Sequence, residues 1–174
     1  MVENHNHNFE NLTATHARPY HFVGSGLPNV FLVGIKYRKC KSCGVQSAEI
    51  PAVENLMIAI ARAVIHKDDL LNGKEIRFLR KRLGKKSSEF AKVVGVTPEQ
   101  VSRWENHDAN GHERSADKLI RVFYCLLSGD TQLKEQLDRH LEEWLISIPG
   151  EEPNSKYCAR LKNKEDWTAE PVPA

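Results

Sequence analysis

The stretch Ser87–Asn106, SSEFAKVVGVTPEQVSRWEN, constrains this chain more than any other. SSEFAKVV reads as a short helix anchored by Phe90, Val93 and Val94 and ended by Gly95. GVT is a tight turn. Thr97 is placed to cap the next helix, and Pro98 stands at its first helical position, where the missing N–H costs nothing. The helix 97–106 has two large apolar residues, Val101 and Trp104, spaced i and i+3. They pin one face and turn Glu99, Gln100 and Arg103 to the other.

Two short helices joined by a Gly-containing turn form the helix-turn-helix pattern, in which the second helix projects from the body. The neighbouring segments read as its scaffold. Asn72 and Glu75 make a capping-box pattern ahead of a helix with Ile76, Leu79 and Leu83 as its buried stripe, ended by Gly84. After a polar loop from Asn106 to His112, SADKLIRVFYCLL predicts a helix with Leu119, Val122, Phe123 and Leu126 facing inward and Cys125 packed in the core. TQLKEQLDRHLEEWLISI predicts a last helix with Leu133, Leu137, Leu141 and Trp144 on its buried side.

Upstream, residues 1–18 are polar, rich in Asn and His, and read as a flexible leader. YHFV and VFLVGIKY, broken by GSG and LPN, read as a hairpin, with a further short strand at Ser47–Ile50. Pro51–His66 predicts a helix with Leu56, Ile60 and Val64 in line. HKDDLLNG is the boundary. The expected fold class is therefore α+β: a small β module with a helix over 19–66, then a five-helix domain over 72–148, then a loosely attached polar tail over 149–174. So small a β module needs a metal, a partner or its neighbour to be stable.

A helix fits the major groove of B-DNA, where base edges display distinguishable donors and acceptors. The net charge is only +2, so the distribution of charge matters more than its sum. Lys74, Arg77, Arg80, Lys81, Arg82, Lys85, Lys86 and Lys92 crowd one segment against Glu75 and Glu89, which suits a phosphate-facing surface. Glu99, Gln100 and Arg103 are the candidates for base contact. Lys85, Lys86, Ser87, Thr97, Ser102 and Asn106 are the candidates for phosphate contact, with Ser88 nearby. Each has a plainer reading. Gln100 either reaches a base or turns back to cap Thr97, since T-x-x-Q is itself a capping box. The basic run is either a DNA-facing surface or a solvated one.

GKEIRFLRKRLGKKSSEFAKVVGVTPEQVSRWEN resembles the XRE-type helix-turn-helix. YHFVGSGLPNVFLVG, CKSCG and IPAVENL ahead of it, in that order, are similar to the MqsA/YgiT-type zinc-finger and helix-turn-helix proteins, over residues 19–127. The resemblance implies Arg103 and Glu99 as the base-facing pair and Thr97, Ser87 and Ser102 as phosphate neighbours. It further implies an antitoxin of a type II toxin–antitoxin system, which binds an RNA-cleaving toxin through its N-terminal module or flexible leader and represses its own promoter. One recognition helix reads only a few base pairs, so the expected DNA-binding form is a homodimer reading a palindrome, with the fourth and fifth helices offering apolar surface for it. The chain departs from the family pattern at Lys86, where a Ser or Thr cap is usual, and at Ser87, where Gln is common. Lys85 and Lys86 then supply looser electrostatic contacts.

Cys40 and Cys43 form a CxxC pair, half of a structural zinc site. Resembling proteins bring a second CxxC near the N-terminus. Here that region has His5 and His7, and also His16 and His21, and two histidines, foremost His5 and His7, would complete a Cys2His2 set. The alternatives are a zinc shared between two subunits through Cys40 and Cys43, or no stable metal, with the pair a relic or a redox-sensitive turn. No catalytic order of Ser, His and Asp, Gly-rich phosphate loop or HExxH is present, so an enzyme is not expected. The N-terminus does not read as a secretory signal and no apolar run is long enough to span a membrane, so the expected location is cytoplasmic. A regulator without a toxin, tuned by a metal or other ligand at the β module, is the alternative function.

Overall fold

The computed structural model describes residues 7–106, 113–147, 155–162 and 165–173. Two small sheets and six α-helices make up its described part. The first sheet has strand order β1-β4-β5, from β1 (Phe9–Thr13), β4 (Lys36–Cys40) and β5 (Gln46–Ala48), all antiparallel. The second has order β2-β3-β6-β7, from β2 (Tyr20–His21), β3 (Val30–Val33), β6 (Ser155–Leu161) and β7 (Trp167–Pro173). The predicted hairpin is present: Tyr20 pairs with Leu32 and His21 with Phe31. VFLVGIKY is not one strand, however. Gly34, at φ +83°, turns the chain so that its first half joins one sheet and its second half the other.

Two expectations are corrected. Residues 9–13 of the supposed flexible leader form β1, in register with β4 from Phe9↔Cys40 to Thr13↔Lys36. Residues 155–161 and 167–173 of the supposed loose tail form an antiparallel strand pair whose first strand runs parallel to β3, Val30 opposite Tyr157 and Leu32 opposite Ala159. Tyr157 and Ala159 are fully buried. The physical reason is that β3, with Val30, Leu32 and Val33 buried, needs a neighbour on its second edge. β7, which carries Pro171 and Pro173, is the outer strand, where a missing N–H leaves no ladder bond unmade. The hairpin and helix α1 (Val53–His66) thus give the small β module the core that its own residues lack. Trp167 Nε1 donates to the Pro51 carbonyl at 3.0 Å, and Asn55 Nδ2 to the Glu165 carbonyl at 2.8 Å.

The helical part comprises α2 (Gly73–Arg82), α3 (Ser87–Val94), α4 (Pro98–Asn106), α5 (Arg114–Leu127) and α6 (Thr131–Ser147). With α1 the described chain has six α-helices, and residues Val23–Ser25 add a single 3-10 turn that was not expected. α2 and α3 pack on α4, and α5 packs on α2, α3 and α6. Ile76, Leu79, Phe90, Val101 and Ile120 are the fully buried centre.

The inward face of α5 is also corrected. Leu119 and Leu126 are exposed, at 41% and 46%, whereas Val122 and Phe123 are half-buried against the core and Cys125 is buried as expected, together with Asp117, Ile120, Arg121 and Tyr124. On α6, Leu133 and Leu137 are buried as predicted but Leu141 is exposed. The Trp144 side chain and residues 107–112 of the predicted polar loop lie outside the described residues. Among the described residues no helix is long and apolar enough to cross a membrane.

Candidate nucleic-acid interface and metal centre

Local chemistry sets the ends of α2, α3 and α4. The Asn72 side chain accepts from the Glu75 N–H at 3.0 Å and Glu75 accepts from the Asn72 N–H at 2.7 Å, a complete capping box. α3 begins at Ser87 with Lys86 as its cap residue. An ammonium cannot accept a hydrogen bond, so only half a box forms: Glu89 accepts from the Lys86 N–H at 2.9 Å. Gly95, at φ +79°, ends α3 in the left-handed conformation that glycine adopts without strain. Thr97 Oγ1 accepts from the Gln100 N–H and Gln100 Oε1 accepts from the Thr97 N–H, both at 3.2 Å. The plainer reading of Gln100 is therefore realised: its carbonyl oxygen serves the cap.

On α4, Val101, Trp104 and Glu105 are buried, a stripe at i, i+3 and i+4. Glu99, Ser102, Arg103 and Asn106 lie on the opposite, exposed face, flanked by Gln100. Among the described residues Arg103 has no ion-pair partner, so its guanidinium is available to a ligand. Asn106 is tied back: its Oδ1 accepts from Arg77 Nη2 at 2.8 Å and its Nδ2 donates to Ser102 Oγ at 3.3 Å. Ser87 is half-buried, whereas Thr97 and Ser88 are exposed.

The third member of the buried stripe is absent from the sequence reading. Glu105, 7% exposed, accepts from Arg80 Nε at 2.5 Å and Nη2 at 2.8 Å, and from Arg77 Nε at 3.2 Å. Arg80 also donates to the Lys85 carbonyl at 2.8 Å, so one guanidinium clamps the end of α4 to α2 and to the turn before α3. Hydrogen bonding to Glu105 pushes Arg80 above the usual arginine range. The available signal was an acid at a core position of α4 opposite arginines at i and i+3 on α2.

These pairs change the meaning of the basic run. Arg77 and Arg80 hold Glu105, and Arg82 holds Glu54 of α1 at 2.5 Å. Three of the cations counted toward a phosphate surface are thus internal fasteners. Lys81, Lys86 and Lys92 are exposed, Lys85 is half-exposed, and all four carry no ion pair among the described residues. Both candidates for electrostatic phosphate contact, Lys85 and Lys86, sit at the α2–α3 turn.

In the β module, Cys40 ends β4 and the chain turns back at once. The Gly44 N–H donates to the Cys40 carbonyl at 3.0 Å, the Cys40 N–H to the Val45 carbonyl at 2.8 Å, and Gly44 adopts φ +74°. This turn brings Cys43 Sγ to 3.5 Å from His7 Nδ1. The ligand atoms of His7, Cys40 and Cys43 all lie within 4.8 Å of one another. Around a tetrahedral zinc with bonds of about 2.0–2.3 Å, ligand atoms stand roughly 3.3–3.8 Å apart, so the three donors fit that ion after a small contraction. His5, the fourth expected ligand, lies outside the described residues.

The helix-turn-helix family model matches residues 76–122, from the first turns of α2 into α5. The match supports an XRE-type, DNA-binding transcriptional regulator, a class of proteins generally without enzymatic activity. No curated protein and no solved structure matched the chain.

Proposed function

We propose that this protein is a sequence-specific transcriptional repressor that reads a palindromic operator as a homodimer, inserting α4 of each copy into the major groove. The observation that carries this reading is the exposed face of α4, with Arg103 unpaired and Glu99 beside it, held by a helix end that Glu105 locks to α2. Arg103 is suited to a bidentate contact with guanine, and Glu99 accepts from a cytosine amino group. Gln100 contributes only through its amide nitrogen, because its oxygen serves the cap. Lys85, Lys86, Ser87, Thr97 and Ser102 contact phosphates on either side. Asn106 acts there as part of the Arg77 tether.

One helix reads few base pairs, so useful affinity calls for two copies with half-sites about one helical turn apart. Leu119, Leu126 and Leu127 on α5 and Leu141 and Ile146 on α6 are exposed apolar residues that favour a second copy there. The β module has two roles in this reading. His7, Cys40 and Cys43, with His5, hold a structural zinc that fixes the β4–β5 turn, and the module receives a toxin partner, the protein acting as an antitoxin that represses its own promoter. The toxin step rests on the resemblance of residues 19–127. The His7–Cys40–Cys43 group also favours a second reading, a stand-alone regulator whose DNA affinity follows metal occupancy.

A footprint on the gene's upstream region, run with light scattering of the free and DNA-bound protein, tests the first reading. A protected palindrome and a two-copy mass support it. Uniform protection or a one-copy complex refutes it. Elemental analysis of purified protein tests the metal: one zinc per chain, lost in Cys43→Ser, is expected, and metal-free protein with an intact β module rejects it.

A further inference from the structure

DNA reading by α2, α3 and α4 leaves a large buried polar cluster without a task. Glu75, fully buried in the capping box of α2, accepts not only from the Asn72 N–H but also from the Tyr157 hydroxyl on β6. The Lys67 ammonium, fully buried too, stands 2.9 Å from Glu75 and 3.4 Å from Asp69. Beside it Arg121 of α5, without exposed surface, donates to the carbonyls of Ile65, Lys67 and Asp69 at 2.7, 2.8 and 2.6 Å and to Asp117 at 2.7 Å. Asp117 in turn accepts from the Leu71 N–H at 2.7 Å. The connector between α1 and α2 is thus held by side chains along its length. Burying so many charges is costly, and it is tolerated only where every partner is in place. The arrangement selects one path for the connector and one position for the first turn of α2.

Among the described residues, Tyr157 is the one member of this cluster that comes from the C-terminal hairpin. Its backbone is fixed by pairing with β3 and by its N–H to the Asn29 carbonyl at 2.9 Å. Burial and the adjacent Glu75 carboxylate push its hydroxyl well above the ordinary tyrosine range, so it remains a donor. From Glu75 the line of contacts runs down α2 to Arg77 and Arg80, and from them to Glu105 at the end of α4. We infer that Tyr157 is a positioning residue for the recognition helix: the C-terminal hairpin sets the position of α2 through Glu75, and α2 sets α4 through Glu105. The hairpin, 82 residues from Glu75 in sequence and beyond the family match, is then a working part of the DNA-reading unit. This rests on the DNA-reading role of α4.

The test compares Tyr157→Phe with Trp167→Phe in the full-length protein. The second substitution loosens the same hairpin on its α1 side, by removing the bond to Pro51, and leaves the Tyr157–Glu75 contact in place. Tyr157→Phe is expected to lose about five- to tenfold in operator affinity, with random-duplex binding and the salt slope unchanged. Hydrogen exchange should speed up at the amides of Leu71 to Ile76. Trp167→Phe should bind the operator within about twofold of the parent. Parental operator affinity in Tyr157→Phe, or an equal loss in both variants, overturns the inference. If the parent itself shows no operator preference, the DNA reading fails separately and the exchange measurement alone decides: faster exchange at Leu71 to Ile76 upholds Tyr157 as the residue that positions α2, and unchanged exchange rejects it.

Discussion

Glu105→Ala tests how α4 is held. The substitution removes the acceptor of three charged hydrogen bonds, two from Arg80 and one from Arg77. Arg77 has 42% of its side chain exposed, so water replaces most of what it loses and its share is small. Arg80 is different: its side chain is 11% exposed and that of Glu105 4%, so the substitution strands a largely buried guanidinium. Breaking such a pair from one side costs about 3–5 kcal/mol. For a chain of this size that is a fall of roughly 6–20 °C in melting midpoint. Urea and thermal melts give the number. Glu105→Gln, which keeps one acceptor oxygen in place, should cost less than half as much. Arg80→Met in the Glu105→Ala background should recover part of the loss, because no charge is then stranded. A loss below about 1 kcal/mol for Glu105→Ala would mean that Val101 and Trp104 alone seat the helix, and the clamp would be decoration.

The same geometry gives two further expected outcomes. Lys85→Ala with Lys86→Ala should weaken binding to operator and random duplex alike and lower the salt slope by about 2, measured by titration at several salt concentrations; an unchanged slope removes both from the phosphate surface. Asp130 couples stability to pH. Burial alone would raise its carboxyl, but bidentate bonds from Arg62 at 2.7 and 2.8 Å and the N–H groups of Leu133 and Gln132 outweigh it and hold it below the usual carboxylate value. A depressed folded value means that its stabilisation is complete above the ordinary carboxylate range and is lost as pH falls through the folded value. Asp130→Asn should therefore cost about 1 kcal/mol at pH 7, Arg62 being partly exposed, and nothing once both forms are protonated; a cost independent of pH in chemical melts refutes the assignment.

The contrast between the features that the sequence reveals and those that it conceals tracks the range of the interactions. The boxes at Asn72–Glu75 and Thr97–Gln100 and the stop at Gly95 are legible because donor, acceptor and backbone conformation lie within four residues. α5 misleads because it carries two stripes of helical period. Leu119, Val122, Phe123 and Leu126 form the apolar one, yet Asp117, Ile120, Arg121, Tyr124 and Cys125 form the buried one. A polar pair at core positions is justified only by Leu71 and the carbonyls of residues 65, 67 and 69, which no local pattern of α5 encodes. Glu105 escapes notice for the same reason. The β6 strand is concealed by distance and by composition: SKYCARL has a single large aliphatic residue, Leu161, at its end, and its partner β3 lies more than a hundred residues earlier. The metal group lies between these cases, with the CxxC turn visible locally and His7 brought to it only by the pairing of β1 with β4.

The central claim is that the outer face of α4 reads bases, and competition binding tests it most directly. A labelled upstream duplex is displaced from the parent protein, and from Arg103→Ala, by unlabelled specific or scrambled DNA at fixed salt. Base reading by α4 predicts that scrambled DNA competes about a thousandfold less well against the parent. It predicts that Arg103→Ala closes that gap by about 1–3 kcal/mol while non-specific affinity stays put. Scrambled DNA competing equally with the parent, or a gap as wide in Arg103→Ala as in the parent, would contradict it.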